Sequence, residues 1–273
     1  LTANYQQPIT SRQSSRDILD QWIMARLEQL TSEVTISLDN YNLIDPERAI
    51  RDFIADLSQW YIRRSRERFK DESEDKQQAL VTTRYILITL SKLLAPFMPF
   101  LAEDIYQSLK SEGDPESVHL TDWPEGPGLG TGEEGRAKIL EQMETARKIV
   151  SLALEARAKA RIKVRQPLAT LKIKSSLAEE YLALIGDEVN VKAVVLDKNI
   201  QTEVELDIQI TSELQAEGEW RDLMHELQAQ RKEKGLQPGE PAVLVVPASK
   251  KDLVAKHEAE LKSAVFATSF EFI

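Results

Sequence analysis

The apolar residues of this chain change their period part-way along it, and that change limits what it can fold into. Over roughly the first hundred residues they recur at spacings of three and four. The runs are Ile23, Leu27, Leu30, Val34, Leu38 and Tyr41, then Ile50, Phe53, Ile54, Leu57 and Tyr61, then Leu80, Leu87, Leu90 and Leu94. Each run lays one apolar stripe along an α-helix. Beyond residue 168 alternation takes over, at Leu171 and Ile173 and again at Val204, Leu206, Ile208 and Ile210. Short apolar runs at 191–196, 242–246 and 266–273 read as further strands, with helical segments near 177–185, 213–234 and 250–264 between them. The expected fold is mainly α: a helical bundle followed by a small α+β domain.

Local signals set the expected boundaries. Ser14 or Ser15 can cap the first helix with Asp17 in its first turn, and Asp45-Pro46 opens a second that runs to about Phe69. The acidic run Asp71–Asp75 reads as a solvated connection to a third helix over 77–95. Pro96 and Pro99 bracket a break before a fourth, which starts near Glu103 and Asp104 and ends near Lys110. Six of the ten glycines fall within 111–136, where no periodic pattern survives. The expected division is a bundle over 1–125, a glycine-rich linker or loop over 126–135, a long helix and basic segment over 136–165, and the α+β domain over 166–273.

At 42% hydrophobic and 29% charged, the composition is that of an ordinary folded protein, and no apolar stretch is long enough to span a membrane. The first residue is Leu1, and no charged start followed by an apolar block precedes the first helix. The chain therefore reads as cut from something longer, without a secretory signal, and a cytoplasmic location is expected. Cysteine is absent, and His119, His225 and His257 lack ligand spacing, so neither a metal nor a catalytic constellation is expected. The run Gly128-Leu129-Gly130-Thr131-Gly132 has no strand before it and no lysine after it, unlike a phosphate loop.

A formal charge of −10 argues against a polyanion partner unless the cations gather locally. They do. Residues 60–70 carry Arg63, Arg64, Arg66, Arg68 and Lys70 against the single anion Glu67, with Trp60 one turn ahead. Guanidinium groups pair with phosphate oxygens, and an exposed aromatic ring can stack on a base. The alternative is that these arginines offset the negative end of a helix dipole and bridge to Asp71–Asp75. A second cluster runs from Arg147 and Lys148 through Arg157, Lys159, Arg161, Lys163 and Arg165, with Glu155 its only anion. If the segment past Ala160 is extended, Arg161, Lys163 and Arg165 share one side, away from Ile162 and Val164. Arg231, Lys232 and Lys234 make a thinner third group.

The block Asp56-Leu57-Ser58-Gln59-Trp60-Tyr61-Ile62-Arg63-Arg64-Ser65-Arg66-Glu67-Arg68-Phe69 resembles the characteristic segment of isoleucyl-tRNA synthetases, in their anticodon-binding helical domain. The stretch from Ser91 through Pro96-Phe97-Met98-Pro99-Phe100 to Tyr106 is shared more loosely by the valyl, leucyl and methionyl enzymes. Residues 117–124, 158–168 and 211–235 resemble later parts of the same region. The resemblance implies binding of isoleucine tRNA through Trp60, Arg63, Arg64, Arg66, Arg68, Lys159, Arg161, Lys163 and Arg165, beside the catalytic and editing domains of a parent chain. It also implies that ATP and magnesium belong to that parent, because neither the HIGH nor the KMSKS signature occurs here. The fragment is thus expected to be non-catalytic and cofactor-free. Without cysteines it looks like the branch that ends in a zinc-free α+β appendage. A valyl-type synthetase, or a helical protein-interaction module without RNA, remains the alternative.

Overall fold

The computed structural model describes residues 17–70, 73–125, 132–237, 239–256 and 258–273. Two compact units divide between Glu144 and Thr145, within one long helix. The first unit is built from α1 (Ile18–Asp39), α2 (Ile44–Asp56), a π-helical segment (Leu57–Ile62), α3 (Arg66–Lys70), α4 (Glu74–Leu94) and α5 (Pro99–Leu109). A 3-10 turn (Val118–Leu120) and the start of α6 (Gly132–Lys159) complete it.

Several boundaries differ from the sequence reading. Asp17, expected in the first turn, is itself the cap of α1, its carboxylate accepting from the backbone N–H of Leu19 at 2.8 Å and Asp20 at 3.2 Å. Ser14 and Ser15 lie outside the described residues. The second helix begins at Ile44, two residues before Pro46, because the Asn42 side-chain oxygen accepts from Ile44 N–H and Asp45 N–H. Gly132 and Gly135 belong to α6, so only 126–131 of the supposed linker remains, and that part lies outside the described residues.

The stripes bury the core with two corrections. Ile23, Leu27, Leu30 and Val34 are buried, but Tyr41 stands 94% exposed just past the end of α1. There its φ of 58° makes the left-handed residue of a Schellman motif, with Tyr41 N–H to Leu38 O and Asn42 N–H to Ser37 O both at 2.9 Å. On α4 Leu90 and Leu94 of the expected series are buried, while Leu80 and Leu87 are half-buried and Ala79, Thr82, Ile86 and Leu93 supply the rest of the inner line.

The second helix carries the feature that sequence periodicity hides. Phe53, Leu57, Tyr61 and Ser65 are all buried at uniform spacing of four. An ideal α-helix drifts about 40° per four residues, so such a series would leave the core within three steps. A π-helical turn, with its i→i+5 bonds, takes in more than four residues and keeps the series inward. Ile54, assigned to the stripe, lies one residue and about 100° round from the buried Phe53 on regular α-helix, and is 41% exposed.

That segment is fixed from inside by a buried polar cluster. Asp20 on α1 is 1% exposed. It accepts from the Tyr61 hydroxyl at 2.7 Å and from both terminal nitrogens of Arg68 at 3.0 and 2.9 Å. Arg68 also lies 3.3 Å from Asp17 and pairs with Asp75 on α4 at 2.7 Å. One guanidinium thus joins the starts of α1 and α4 to the end of the second helical run.

The second unit starts inside α6 and holds two small sheets. In the first, β1 (Leu168–Ile173) lies between β2 (Val191–Leu196), parallel to it, and β3 (Val204–Leu206), antiparallel. Helix α7 (Glu179–Val189) links β1 to β2 and buries Tyr181, Leu184 and Ile185. The alternation does not extend β3 to Ile210, because Ile208 and Ile210 are exposed and lie outside any strand. Helix α8 (Ser212–Glu233) then leads to β4 (Ala242–Val246) and, through α9 (Lys251–Lys256) and α10 (Glu258–Val265), to the parallel β5 (Ala267–Phe272). Leu223 and Leu227 pack with Leu244, Val246, Leu261 and Val265 to form that core.

Arg68→Met should leave the buried Asp20 charge uncompensated and destabilise the first unit by about 3–5 kcal/mol in denaturant titration. Tyr61→Phe removes one bond to a charged acceptor and should cost about 1.5–3 kcal/mol. Equal stability of both variants with the parent would show that the cluster does not organise this unit.

Candidate nucleic-acid interface

With Arg68 turned inward, the neighbouring cations divide by exposure. Arg63 and Arg66 are exposed, Arg64 is half-buried with its Nε inside the protein, and Trp60 is half-buried. Arg63 Nε donates to the Gln59 carbonyl at 2.7 Å, which sets the side chain along its own helix. Lys70 is exposed and pairs with Glu67 at 2.7 Å, a contact worth little in water. Arg68 is the correction among the expected RNA contacts. Its side chain is 13% exposed and meets three carboxylates. Burial opposes its charge, but the bonds to Asp20 and Asp75 outweigh that and raise its pKa further. The expected bridge to the acidic run therefore exists for Arg68, at Asp75, while Arg63 and Arg66 face outward.

The second cluster is a built loop rather than an extended strand. Helix α6 closes with Arg161 N–H to Ala158 O and Ile162 N–H to Arg157 O, both at 3.0 Å. Arg161 takes the left-handed position, φ 56°, where glycine is usual. Val164 is 47% exposed, so the expected alternation of cations and apolar residues is absent. The loop is held by Arg157, 1% exposed, which donates to the carbonyls of Lys163, Gln166 and Asn190 at 3.0, 2.8 and 2.7 Å. Burial pushes its pKa down to about 10, which leaves it charged at neutral pH. Lys163 and Arg165 converge on Asp222 at 3.1 and 2.9 Å, while Lys159 pairs with Glu155 at 2.7 Å. Arg161 stands exposed at the tip.

The third group serves the fold. Arg231 is 5% exposed, donates to Gln237 O at 3.0 Å and lies 5.7 Å over the Phe266 ring. Among the described residues no group of three His, Asp or Glu could hold a metal ion, and no helix is long and apolar enough to cross a membrane. His257 and most of the glycine run Gly128–Gly132 lie outside the described residues.

Sequence reasoning passed over a small pocket elsewhere in the first unit. Its volume is about 240 Å³, and Lys92, Pro96, His119, Asp122 and Trp123 are among its lining residues. Trp123 Nε1 donates to Thr35 Oγ1 at 2.8 Å, across 88 residues of chain. No local pattern could have announced that contact.

Residues 20–174, more than half the chain, match the family model described as the anticodon-binding domain of tRNA ligase. The chain belongs to this family. The isoleucine–tRNA ligase of Dehalococcoides mccartyi strain 195 is 39% identical over 244 residues, 80% of this chain and 24% of the relative. That of Clostridium acetobutylicum is 40% identical over 202 residues, covering 71% of this chain and 19% of the relative. That of Chlamydia trachomatis serovar D is 42% identical over 183 residues, 64% and 17% respectively. The chain thus spans a quarter or less of the length of these relatives. The match covers all but the first residues of the bundle and both exposed basic segments of this anticodon-binding domain.

Two titrations follow from the arginine geometry. The hydrogen bond from Arg68 holds the Asp75 carboxyl below its usual value. A depressed carboxyl stabilises the fold at neutral pH, and this contribution fades as pH falls from about 4 through the lower folded value. Asp17 has the opposite shift, raised by burial against the pull of Arg68. In Arg68→Met, NMR titration should move Asp75 back up toward about 3.9. An unchanged Asp75 midpoint would show that Arg68 does not hold it.

Proposed function

We propose that this chain is the tRNA-holding part of an isoleucine–tRNA ligase, steadying the anticodon arm while a catalytic domain elsewhere in such a ligase receives the acceptor end. The observation that carries the reading is the pair of outward arginines, Arg63 and Arg66, on a segment locked from inside by Asp20, Tyr61 and Arg68. Ordering an arginine costs conformational entropy, and a preset helix bears part of that cost before RNA arrives. Arg64 lies between the two in sequence and Trp60 one turn ahead, and Arg161, Lys159, Lys163 and Arg165 offer a second, rigid contact. Arg68 is not among the proposed contacts.

Isoleucine specificity is supported by the W-Y-I-R-R-S-R block at 60–66 and by the shared name of the relatives; the valyl alternative is not favoured. ATP, magnesium and the editing reaction are assigned to the partner domains of a longer chain, and this chain acts without catalysis.

Binding of isoleucine tRNA should weaken linearly in log–log salt titrations, and Arg66→Gln should lower that slope by about one unit while leaving the melting temperature unchanged. Tight binding that ignores salt, or double replacement of Arg63 and Arg66 without effect, would overturn the reading. Isoleucine-dependent pyrophosphate exchange should be absent in a clean preparation, and detectable exchange would contradict the non-catalytic part of it.

A further inference from the structure

We propose that the pocket between the end of α4 and the 118–123 segment takes a single unpaired nucleobase of the bound RNA, stacked against Trp123. This rests on the tRNA reading above and adds a second kind of contact to it. The basic segment and the pocket lie toward opposite ends of α1: Arg68 meets Asp20 near its start, and Trp123 meets Thr35 near its end. Fifteen residues of helix separate these anchors by about 22 Å.

The size of the pocket decides what kind of ligand it fits. At about 240 Å³ it falls below the roughly 300–1,000 Å³ of cavities that enclose a small molecule. It has room for one flat ring system on a longer polymer. Its lining suits such a ring: the Trp123 indole and the Pro96 ring offer flat faces, and His119 is exposed beside them. The Trp123–Thr35 bond fixes the indole orientation before anything binds. Stacking then orders fewer rotamers.

Charge argues for a base rather than phosphate. Lys92 and Asp122 both line the pocket, and Lys92 Nζ lies 3.4 Å from the Asp122 carbonyl. Their formal charges cancel, so the pocket has no net attraction for a backbone anion. Lys92 offers a donor and the Asp122 carboxylate an acceptor, the complement of a base edge carrying both. Tyr41, 94% exposed and held at positive φ six residues beyond Thr35, offers a neighbouring loop nucleotide another flat face.

The test uses the whole chain and an isoleucine tRNA transcript carrying 2-aminopurine at successive anticodon-loop positions. One position should be quenched on binding, and Trp123→Leu should abolish that quenching. The same change should weaken affinity about tenfold with the salt slope unchanged. Trp123→Phe keeps a ring without the Thr35 bond and should stay within about threefold of the parent. Should Trp123→Leu fail to fold, His119→Ala at the surface carries the test, with a severalfold loss expected. A folded Trp123→Leu that binds like the parent while Arg66→Gln binds more weakly would overturn the pocket and leave the tRNA reading standing. If neither change matters, both fail. A Trp123→Leu variant with a lowered salt slope would mean that the pocket meets phosphate, against the proposal.

Discussion

The arrangement of the first unit depends on one buried carboxylate. Asp20 sits in the first turn of α1, out of contact with water, and an ionised group there persists only with close partners. Arg68 and Tyr61 supply them from the far end of the second helical run, 48 and 41 residues away. Satisfying that charge fixes the rotation of the π-helical segment. The rotation in turn decides which arginines face inward and which face solvent. A stability device and an exposed arginine face are therefore two sides of one helix.

A second buried cation performs the same service in the other unit. Arg157 has no carboxylate beside it among the described residues and is held by three backbone carbonyls. Those bonds close the loop from Ile162 to Gln166 against Asn190, whose side chain also holds Val164 O at 2.7 Å. Arg161 at the loop tip inherits that rigidity. In both units an exposed arginine stands within five residues of an inward one that braces its segment.

Much of this was legible in the sequence, and what was missed has physical causes. The change of period from three-and-four to two separated bundle from α+β domain, because burial on one face imposes those periods. The five strands and most helices follow from it. Spacing placed Ile54 inside although it stands at the edge of the stripe, and the local excess of cations grouped Arg68 with Arg63, Arg64 and Arg66 as RNA contacts. The π turn at 57–62 is set by a tertiary demand, the pairing of Tyr61 and Arg68 with Asp20, which leaves no local mark. Likewise Tyr41 continues a stripe by number while the helix ends two residues before it, at Asp39. The pocket at Trp123 needs three segments that sequence reading treated separately. Resemblance carried further than periodicity: the W-Y-I-R-R-S-R block pointed to the family, whose model matches residues 20–174.

The central claim is that exposed arginines meet RNA while buried ones build the platform, and arginine-selective modification with phenylglyoxal, read residue by residue with and without tRNA, tests it most directly. The account predicts that Arg63, Arg66 and Arg161 react in the free chain and that tRNA protects at least Arg63 and Arg66. Arg68 and Arg157 should stay inert in both states. Equal reactivity of Arg63 and Arg66 with and without tRNA, or ready modification of Arg68 in the folded chain, would contradict it.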